Sequence, residues 1–446
     1  MKRGKKLLAM LAALVLIICV FVLVTALNPN DTDESGTAYQ TVFKLDPEKV
    51  TNIAWNYSDA VSFTKTENGW VNDADSVFPA DKAVLEAMLK ALTEVGASKT
   101  IENPEDLDQY GLQYPFCSIT VTADGTTYNL AIGDQNSFNG ERYFSMGDGN
   151  VYMVKDEIAA NFNFGPEGVL LMETIPEMSD ITALKVTTKS RSYEIVYEKD
   201  SDKAYSSHYT WFMDDKILDT ENTLKLLSVL QDLEWRSCPD YNATDLTQYG
   251  LDAPEVVATV TYSGTTFVLE LGKEVEKGVY ARLAGSNMVY LVDDDVLDAL
   301  KDTTYNDLIP NEVLLMDWET VTSMDIAVDG KTYTLTCEEE ADENGCSTGN
   351  YIWKLNGTKV EGSKITDAFA DIEVIHHAVG QEHMDEKISF VFHRNTANFT
   401  TIELVIYEFS SEAFLVTFNG ESTVLADKTD VQSLVNAVNK IVTAAQ

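Results

Sequence analysis

Residues 107–133 read LDQYGLQYPFCSITVTADGTTYNLAIG, and residues 246–272 read LTQYGLDAPEVVATVTYSGTTFVLELG. The two stretches align without a gap and share the sequence Gln-Tyr-Gly-Leu, a following proline and the triplet Gly-Thr-Thr. The motif residues are Gln109, Tyr110, Gly111, Leu112 and Pro115, with counterparts Gln248, Tyr249, Gly250, Leu251 and Pro254. Similarity over this length indicates that one structural unit occurs more than once along the chain.

The residues after the motif have the pattern of a β-hairpin. Apolar side chains alternate with polar ones on each side of Asp124-Gly125, at Ile119, Val121 and Ala123 and again at Tyr128, Leu130 and Ile132. This alternation predicts strands with one buried face, joined by a tight turn. We interpret the Gln-Tyr-Gly-Leu segment as a tight connection in which glycine has a positive φ and tyrosine covers the sheet edge.

The similarity extends outward and defines three units, which we place at residues 43–178, 179–318 and 319–446. Each unit opens with two predicted strands, a tryptophan and an amphipathic helix, and the tryptophans are Trp70, Trp211 and Trp353. The third unit lacks Gln-Tyr-Gly-Leu, so we interpret it as a diverged copy. The predicted fold class is α+β, with three tandem repeats of antiparallel sheet and helices packed on one face.

The helices are predicted from their apolar periodicity. In the first unit the helix runs from about Ala80 to Thr93, with Asp81 near its start. Its apolar stripe consists of Val84, Leu85, Met88, Leu89 and Leu92. In the second unit we expect Asp219 or Thr220 to cap the helix. The apolar positions of that helix include Leu224, Leu227, Val229 and Leu230.

An uninterrupted apolar run occupies residues 7–27 and contains no charged residue, proline or glycine. Because about 20 apolar residues in a helix cross the hydrocarbon core of a bilayer, we predict a transmembrane helix here. Residues 1–6 carry only basic charges, whereas the linker at residues 28–42 begins with acidic and polar residues. The positive-inside rule therefore predicts a single-pass protein of the cell membrane with a cytoplasmic N-terminus and an extracytoplasmic body. The alternative is a cleaved signal peptide, whose apolar region is usually shorter.

The chain carries 32 Lys and Arg residues against 72 Asp and Glu residues, a formal net charge of −40. Such a charge repels nucleic acid, which we therefore exclude as a partner. With 45% hydrophobic residues, the body nevertheless has the material for packed cores. Cysteines at positions beyond the apolar run are Cys117, Cys238, Cys337 and Cys346. Cys337 and Cys346 are close enough in sequence for a hairpin-bridging disulfide, and free thiols are the alternative.

One cluster has residue types that bind metals, and it consists of His376, His377, Glu382 and His383. Zinc needs three such ligands on one side, and this spacing matches neither H-E-x-x-H nor H-x-x-E-H. We therefore interpret the cluster as a solvated strand end and expect no metal. Acidic residues at 31–34 and 293–295 and the loop at 134–136 lack the residue order of a dedicated calcium loop.

The motifs that would indicate catalysis or phosphate binding are G-x-S-x-G, S-x-x-K, a cysteine beside a histidine, and glycine-rich phosphate loops. None occurs in the sequence in a suitable strand-to-helix context. The repeated Gln-Tyr-Gly-Leu segment could also be a ligand site, but repeated motifs usually mark packing. We expect no catalytic residue and no cofactor.

The N-terminal anchor, the tryptophan of each unit and the pattern L-x-x-Y-G-L-x-x-P before a hairpin ending in Ile132-Gly133 or Leu271-Gly272 resemble a bacterial family, domain-of-unknown-function family 4340 (DUF4340). The resemblance implies a membrane-anchored protein without a defined activity or catalytic residues. Members are often encoded beside ABC-type transporters of the gliding-motility type, which implies transporter subunits as partners. The functional hypothesis is a non-catalytic binding or assembly module of a transporter or envelope complex. The alternatives are an envelope hydrolase and a protein that binds metal ions or a cell-wall polymer.

Overall fold

A computed structural model of the chain describes residues 38–341, 347–378, 380–382 and 384–444. The predicted transmembrane segment at residues 7–27 lies outside this part of the chain. Among the helices of the described residues, none combines the length and apolar character needed to cross a bilayer. The described chain divides into two compact units, with the boundary between Thr174 and Ile175.

The unit before this boundary is built on one antiparallel sheet. Its elements are β1 Gln40–Lys44, β2 Val50–Asn56, β3 Ala60–Thr66, β4 Gly69–Asn72, α1 Lys82–Ala91, β5 Glu94–Glu102, β6 Cys117–Ala123, β7 Thr126–Gln135, β8 Arg142–Ser145, β9 Asn150–Val154 and α2 Glu157–Ala160. Between residues 38 and 174 the strands lie in the order β1-β5-β9-β8-β7-β6-β2-β3-β4. The helix α1 therefore carries the chain from one side of the sheet to the other.

The unit after the boundary contains two further antiparallel sheets in its described residues. The first comprises β10 Ile181–Thr188, β11 Ser192–Tyr197, β12 Trp211–Met213, β13 Lys216–Ile217, β14 Ser237–Asp240, β15 Val256–Tyr262, β16 Thr265–Val275, β17 Gly278–Leu283 and β18 Val289–Val292, with helices α3 Thr220–Gln231, α4 Asp294–Asp302 and α5 Tyr305–Leu308. The second comprises β19 Val321–Val328, β20 Lys331–Ala341, β21 Ser347–Leu355, β22 Thr358–Val360, β23 Val374–His377, β24 Glu386–Arg394, β25 Thr401–Glu408, β26 Ala413–Phe418 and β27 Glu421–Asp427, with helices α6 Ser363–Ala370 and α7 Lys428–Ala444.

These sheets repeat one strand order. Their orders are β13-β12-β11-β10-β15-β16-β17-β18-β14 and β22-β21-β20-β19-β24-β25-β26-β27-β23, and the first sheet differs only in which short strand is added at an edge. The third repeat keeps this order although it lacks the Gln-Tyr-Gly-Leu sequence. The described residues thus have the predicted α+β fold with tandem antiparallel sheets.

Both main helices of each repeat pack on the same face of its sheet. In the third repeat, for example, Phe369 of α6 and Leu434 of α7 belong to one core together with Phe390 of β24. The tryptophans Trp70, Trp211 and Trp353 occupy equivalent strands and are all buried. Burial of one sheet face under two helices explains the single apolar face seen in the strand pattern.

The predicted hairpin is confirmed, because Ala123 pairs with Thr126 and the two residues between them both have positive φ. The predicted first helix is also confirmed, with Asp81 as its N-cap. Asp219 caps α3. Leu224, placed on the apolar stripe of that helix, is wrong as a core position: its exposure is 50%, because the buried stripe follows Thr223, Leu226, Leu227 and Leu230.

Candidate functional site

The first Gln-Tyr-Gly-Leu segment packs its backbone against the strand that ends the hairpin. Gly111 has a φ of 64°, which suits glycine. The carbonyl oxygen of Tyr110 approaches Gly133 so closely that a Cβ atom there would lie 2.3 Å from the oxygen. The second copy repeats these features at Gly250, Tyr249 and Gly272. In each copy one glycine lies on either side of this backbone contact, Gly111 and Gly133 in the first and Gly250 and Gly272 in the second. This contact explains why the spacing between the two glycines is the same in both copies.

The tyrosine of the motif packs on another tyrosine. The ring centroids of Tyr110 and Tyr143 are 4.9 Å apart, and those of Tyr249 and Tyr280 are 5.0 Å apart. Tyr143 and Tyr280 lie on β8 and β17, which are interior strands of their sheets. The expectation that the tyrosine covers a sheet edge is therefore wrong, because the connection folds over the face of the sheet near the strand ends. These contacts are those of a packed connection.

The histidine cluster lies at and after the edge strand β23. His376 and His377 are neighbours on that strand, so their side chains point to opposite faces. Glu382 is exposed, and His383 lies outside the described residues. In the part of the chain that the structure describes, no group of three or more His, Cys, Asp or Glu side chains is arranged to hold a metal ion.

The candidate calcium loops make local interactions instead. Asn136 donates a hydrogen bond of 2.8 Å to the hydroxyl of Tyr143, which helps to order the loop between β7 and β8. Residues 293–295 form the start of α4, where negative charge is favourable beside the helix N-terminus. Residues 31–34 lie outside the described residues.

Cys117, Cys238 and Cys337 are thiols in the structure, and Cys346 lies outside the described residues. Burial raises the pKa of the Cys117 and Cys337 thiols to about 11. Since the thiolate is the nucleophilic form, these two cysteines are weak nucleophiles at neutral pH.

A long connection within the second repeat packs against the third repeat. Residues 198–210, between β11 and β12, insert Tyr205 and Tyr209 into the hydrophobic core of the third repeat, where their exposures are 7% and 2%. The ring centroid of Tyr205 lies 4.6 Å from that of Phe418 and 6.4 Å from that of Phe399. The core of the third repeat is thus completed by side chains of the second.

Buried polar contacts strengthen this junction. The Nη1 atom of Arg394 donates to the carbonyl oxygen of Tyr205 at 2.6 Å. The carboxylate of Asp317 accepts from Ser206 Oγ at 3.0 Å and from the backbone N–H of Ser207 at 2.8 Å. Charge-assisted bonds of this kind are stronger than neutral ones and fix the orientation of both partners. They help to explain why the two repeats form one compact unit.

A cavity of about 390 Å³ opens beside the junction. Its apolar wall consists of Ile217, Ile309, Val313, Phe399, Phe418 and Val424. Its polar and aromatic wall includes Lys203, Tyr205, Lys216, Tyr305, Glu312, His377 and Glu421. Small-molecule sites in proteins typically have this size and this mixture of apolar surface with a few polar groups.

The polar groups of the wall differ in how well they are satisfied. The Nζ atom of Lys203 lies 2.6 Å from Glu198 and 2.8 Å from Asp215, and these hydrogen bonds raise the pKa of the lysine. The hydroxyl of Tyr209 donates to Glu312 at 2.7 Å. In contrast, the buried Nδ1 atom of His377 has no hydrogen-bond partner among the described residues.

The cavity is not among the sites expected from the sequence, although the sequence contains one signal of it. The connection between β3 and β4 of the first repeat is a tight turn between Thr66 and Gly69, but the equivalent connection between β11 and β12 of the second repeat spans residues 198–210. An insertion rich in tyrosine and serine within an otherwise repeated unit indicates a segment whose role lies outside the repeated fold. Its contact partners lie more than a hundred residues away in sequence, as the bond between Tyr205 and Arg394 shows.

The comparisons with known proteins identify one family. The model of the family described as "Domain of unknown function (DUF4340)" matches residues 70–217 and 211–377, which together cover well over half of the chain. Each match begins at a strand tryptophan, Trp70 or Trp211, so the sequence unit of the family starts within one sheet and ends within the next. No curated protein and no solved structure matches the chain.

Proposed function

Because this chain belongs to the DUF4340 family, whose function is unknown, we propose from its own residues that it is a non-catalytic, extracytoplasmic binding or assembly module. The cavity beside the junction of the second and third repeats carries the proposal. It combines aromatic and aliphatic walls with a small number of polar groups, as ligand sites do. The tyrosines and buried hydrogen bonds of the junction give it a rigid frame.

We further propose that the chain is held in the cell membrane by a helix at residues 7–27, with its N-terminus in the cytoplasm. The length of the apolar run and the basic residues before it support this orientation. Protease added to intact spheroplasts should then digest the body while leaving a cytoplasmic control protein intact. Protection of the body under these conditions would overturn the proposed orientation.

The proposed partners are subunits of an ABC-type transporter or of another envelope complex. The support is the resemblance to anchored proteins that are encoded beside such transporters, together with a ligand-sized cavity in a tethered body. Affinity purification of the tagged full-length protein from gently solubilised native membranes should recover transporter subunits in stoichiometric yield. An equally tagged protein carrying only residues 1–42 serves as the control for non-specific membrane association. Repeated recovery of the full-length protein alone would contradict the proposal.

A further inference from the structure

The cavity wall carries more negative than positive charge, because Asp215, Glu312 and Glu421 line it together with Lys203 and Lys216. Lys203 is already paired with Glu198 and Asp215. Glu312 and Glu421 form no ion pair within the described residues, and the contact of Glu312 is a hydrogen bond from Tyr209. Glu312 is half-buried and Glu421 is exposed, so a lower local dielectric constant strengthens the attraction of a cation mainly at Glu312.

The cavity also offers aromatic faces to a cation. The rings of Tyr205 and Phe418, which are tilted by 36° to each other, lie on one side, and Tyr305 lies on another element of the wall. The Nζ atom of Lys216 already stands 5.1 Å from the centroid of the Tyr305 ring. An ammonium group within about 6 Å of an aromatic face is stabilised by the ring quadrupole. Lys216 thus already occupies a position over the Tyr305 ring, and a bound ammonium ion competes with it there.

The imidazole of His377 also lines the cavity. Its Nδ1 atom is inaccessible to solvent and has no hydrogen-bond partner in the described chain, so it offers no contact to a molecule in the cavity. Burial lowers the pKa of His377, which favours the uncharged ring and so weakens any repulsion of a cation.

We propose that this cavity binds a small organic ammonium ion with an apolar body, its charge held by Glu312 and Glu421 and its carbon atoms by the aromatic and aliphatic wall. The inference rests on the proposed binding function and names the chemical class of the ligand. An anion of the same size is disfavoured by the two unpaired carboxylates and by the net charge of −40, whose field attracts cations. The cavity volume of about 390 Å³ limits the ligand to a small molecule.

The test uses the full-length protein in non-ionic detergent and calorimetric titration with phenethylamine. 3-Phenylpropionate, which has a similar body and the opposite charge, serves as the ligand control. We expect binding of the amine and not of the carboxylate. Glu312→Gln should weaken amine binding about tenfold, the factor that corresponds to a hydrogen bond to a charged group. Glu421→Gln should weaken it by about two- to fivefold, because Glu421 is exposed. Glutamine at position 312 can still accept the hydrogen bond from Tyr209, so the junction should fold.

Two further variants make the outcome specific. Glu412→Gln removes a carboxylate outside the cavity wall and should leave amine binding unchanged. Lys216→Met removes the chain's own ammonium group from Tyr305 and should strengthen amine binding about two- to fivefold, as expected for an exposed cation–π contact. Absence of amine binding, equal binding of the carboxylate, or unchanged affinity in both glutamine variants would overturn the inference. Amine binding and recovery of transporter subunits are separate measurements, so failure of one does not imply failure of the other.

Discussion

Gly133 and Gly272 are each required by the close approach of a tyrosine carbonyl oxygen. Neither glycine has a positive φ, so their need for a hydrogen side chain arises from space alone. Gly125 differs, since its φ is 73° but a Cβ atom there would meet no atom within 4 Å. The repeated sequence thus contains two kinds of glycine. At one kind a Cβ atom would overlap a neighbouring atom, and at the other the backbone has a positive φ.

Gly133→Ala should lower the free energy of unfolding by about 1–3 kcal/mol, because the new Cβ atom forces the Tyr110 connection away from the strand. Gly125→Ala is the matched control, and its cost of about 1–2 kcal/mol comes from the left-handed backbone alone. Chemical denaturation measures both values. Backbone amide hydrogen exchange of residues 107–112 reports how firmly the Tyr110 connection is packed, and it should accelerate only in Gly133→Ala. An unchanged connection in that variant would contradict the packing described for the motif.

The ionisation of His377 should make stability depend on pH. Burial lowers its pKa, the charge of Asp307 opposes this shift, and the charge of His376 adds to it. Below the ordinary value of 6.5 the unfolded chain therefore binds more protons than the folded chain, and the free energy of unfolding falls as the pH decreases from 7. Other charged groups of the cavity wall are Lys203, Asp215, Lys216, Glu312 and Glu421.

His377→Gln should therefore reduce the loss of stability between pH 7 and the lowered pKa of the histidine. Denaturation curves of the variant and the native sequence, measured at matched pH values in that interval, give the comparison. His376→Gln is the control, because His376 is exposed on the other face of β23. An identical pH dependence in His377→Gln and the native protein would show that this imidazole is not buried in the folded state.

The helices begin where side chains cap them. Asp81 accepts hydrogen bonds from the backbone N–H groups of Ala83 at 2.8 Å and Val84 at 3.4 Å, and α1 starts at the next residue. Asp219 does the same for α3 through Asn222. Both caps are visible in the sequence, because aspartate before an apolar helical stripe is a standard start signal.

Asp81→Ala should lower the free energy of unfolding by about 0.5–2 kcal/mol, the usual cost of losing an N-cap. Asp81→Asn keeps a side-chain oxygen at this position and should cost little, which separates capping from charge. Thermal or chemical denaturation of the three proteins supplies the measurement. Equal destabilisation by alanine and asparagine would argue against a capping role.

At the scale of the whole molecule, the second and third repeats are held together by a segment that the first repeat lacks. Arg394 contributes to this junction with a side chain that is only 2% exposed. Arg394→Ala should destabilise the unit of residues 175–446 by about 3 kcal/mol, because it leaves buried acceptors without a donor. Chemical denaturation gives this value, and hydrogen exchange of residues 198–210 should accelerate at the same time.

Arg236→Ala is the matched control for this variant. Arg236 pairs with Asp293, and both side chains are more than half exposed, at 52% and 59%. An exposed ion pair contributes at most about 1 kcal/mol, so this variant should remain close to the native protein in stability. If the two arginine variants behaved alike, the buried bond to Tyr205 could not be a main support of the junction.

Sequence alone determined the repeats, the hairpin turn and the start of the first helix. Each depends on residues close together in the chain: the alternation around Asp124-Gly125, the cap at Asp81 and the apolar stripe behind it. The α+β class follows from these local signals. Even the diverged third repeat retains enough alternation of apolar and polar residues along its strands to keep the strand order. The family match agrees with the repeated pattern, which is a property of sequence.

Only the tertiary structure revealed the junction and its cavity. Tyr205 packs against Phe418, and Arg394 reaches back to the backbone of Tyr205, across separations that no local pattern encodes. Whether His377 faces solvent or a cavity likewise depends on which repeat lies beside β23. Periodicity reports which side of a strand is buried, but the identity of the covering element is decided when distant segments pack together.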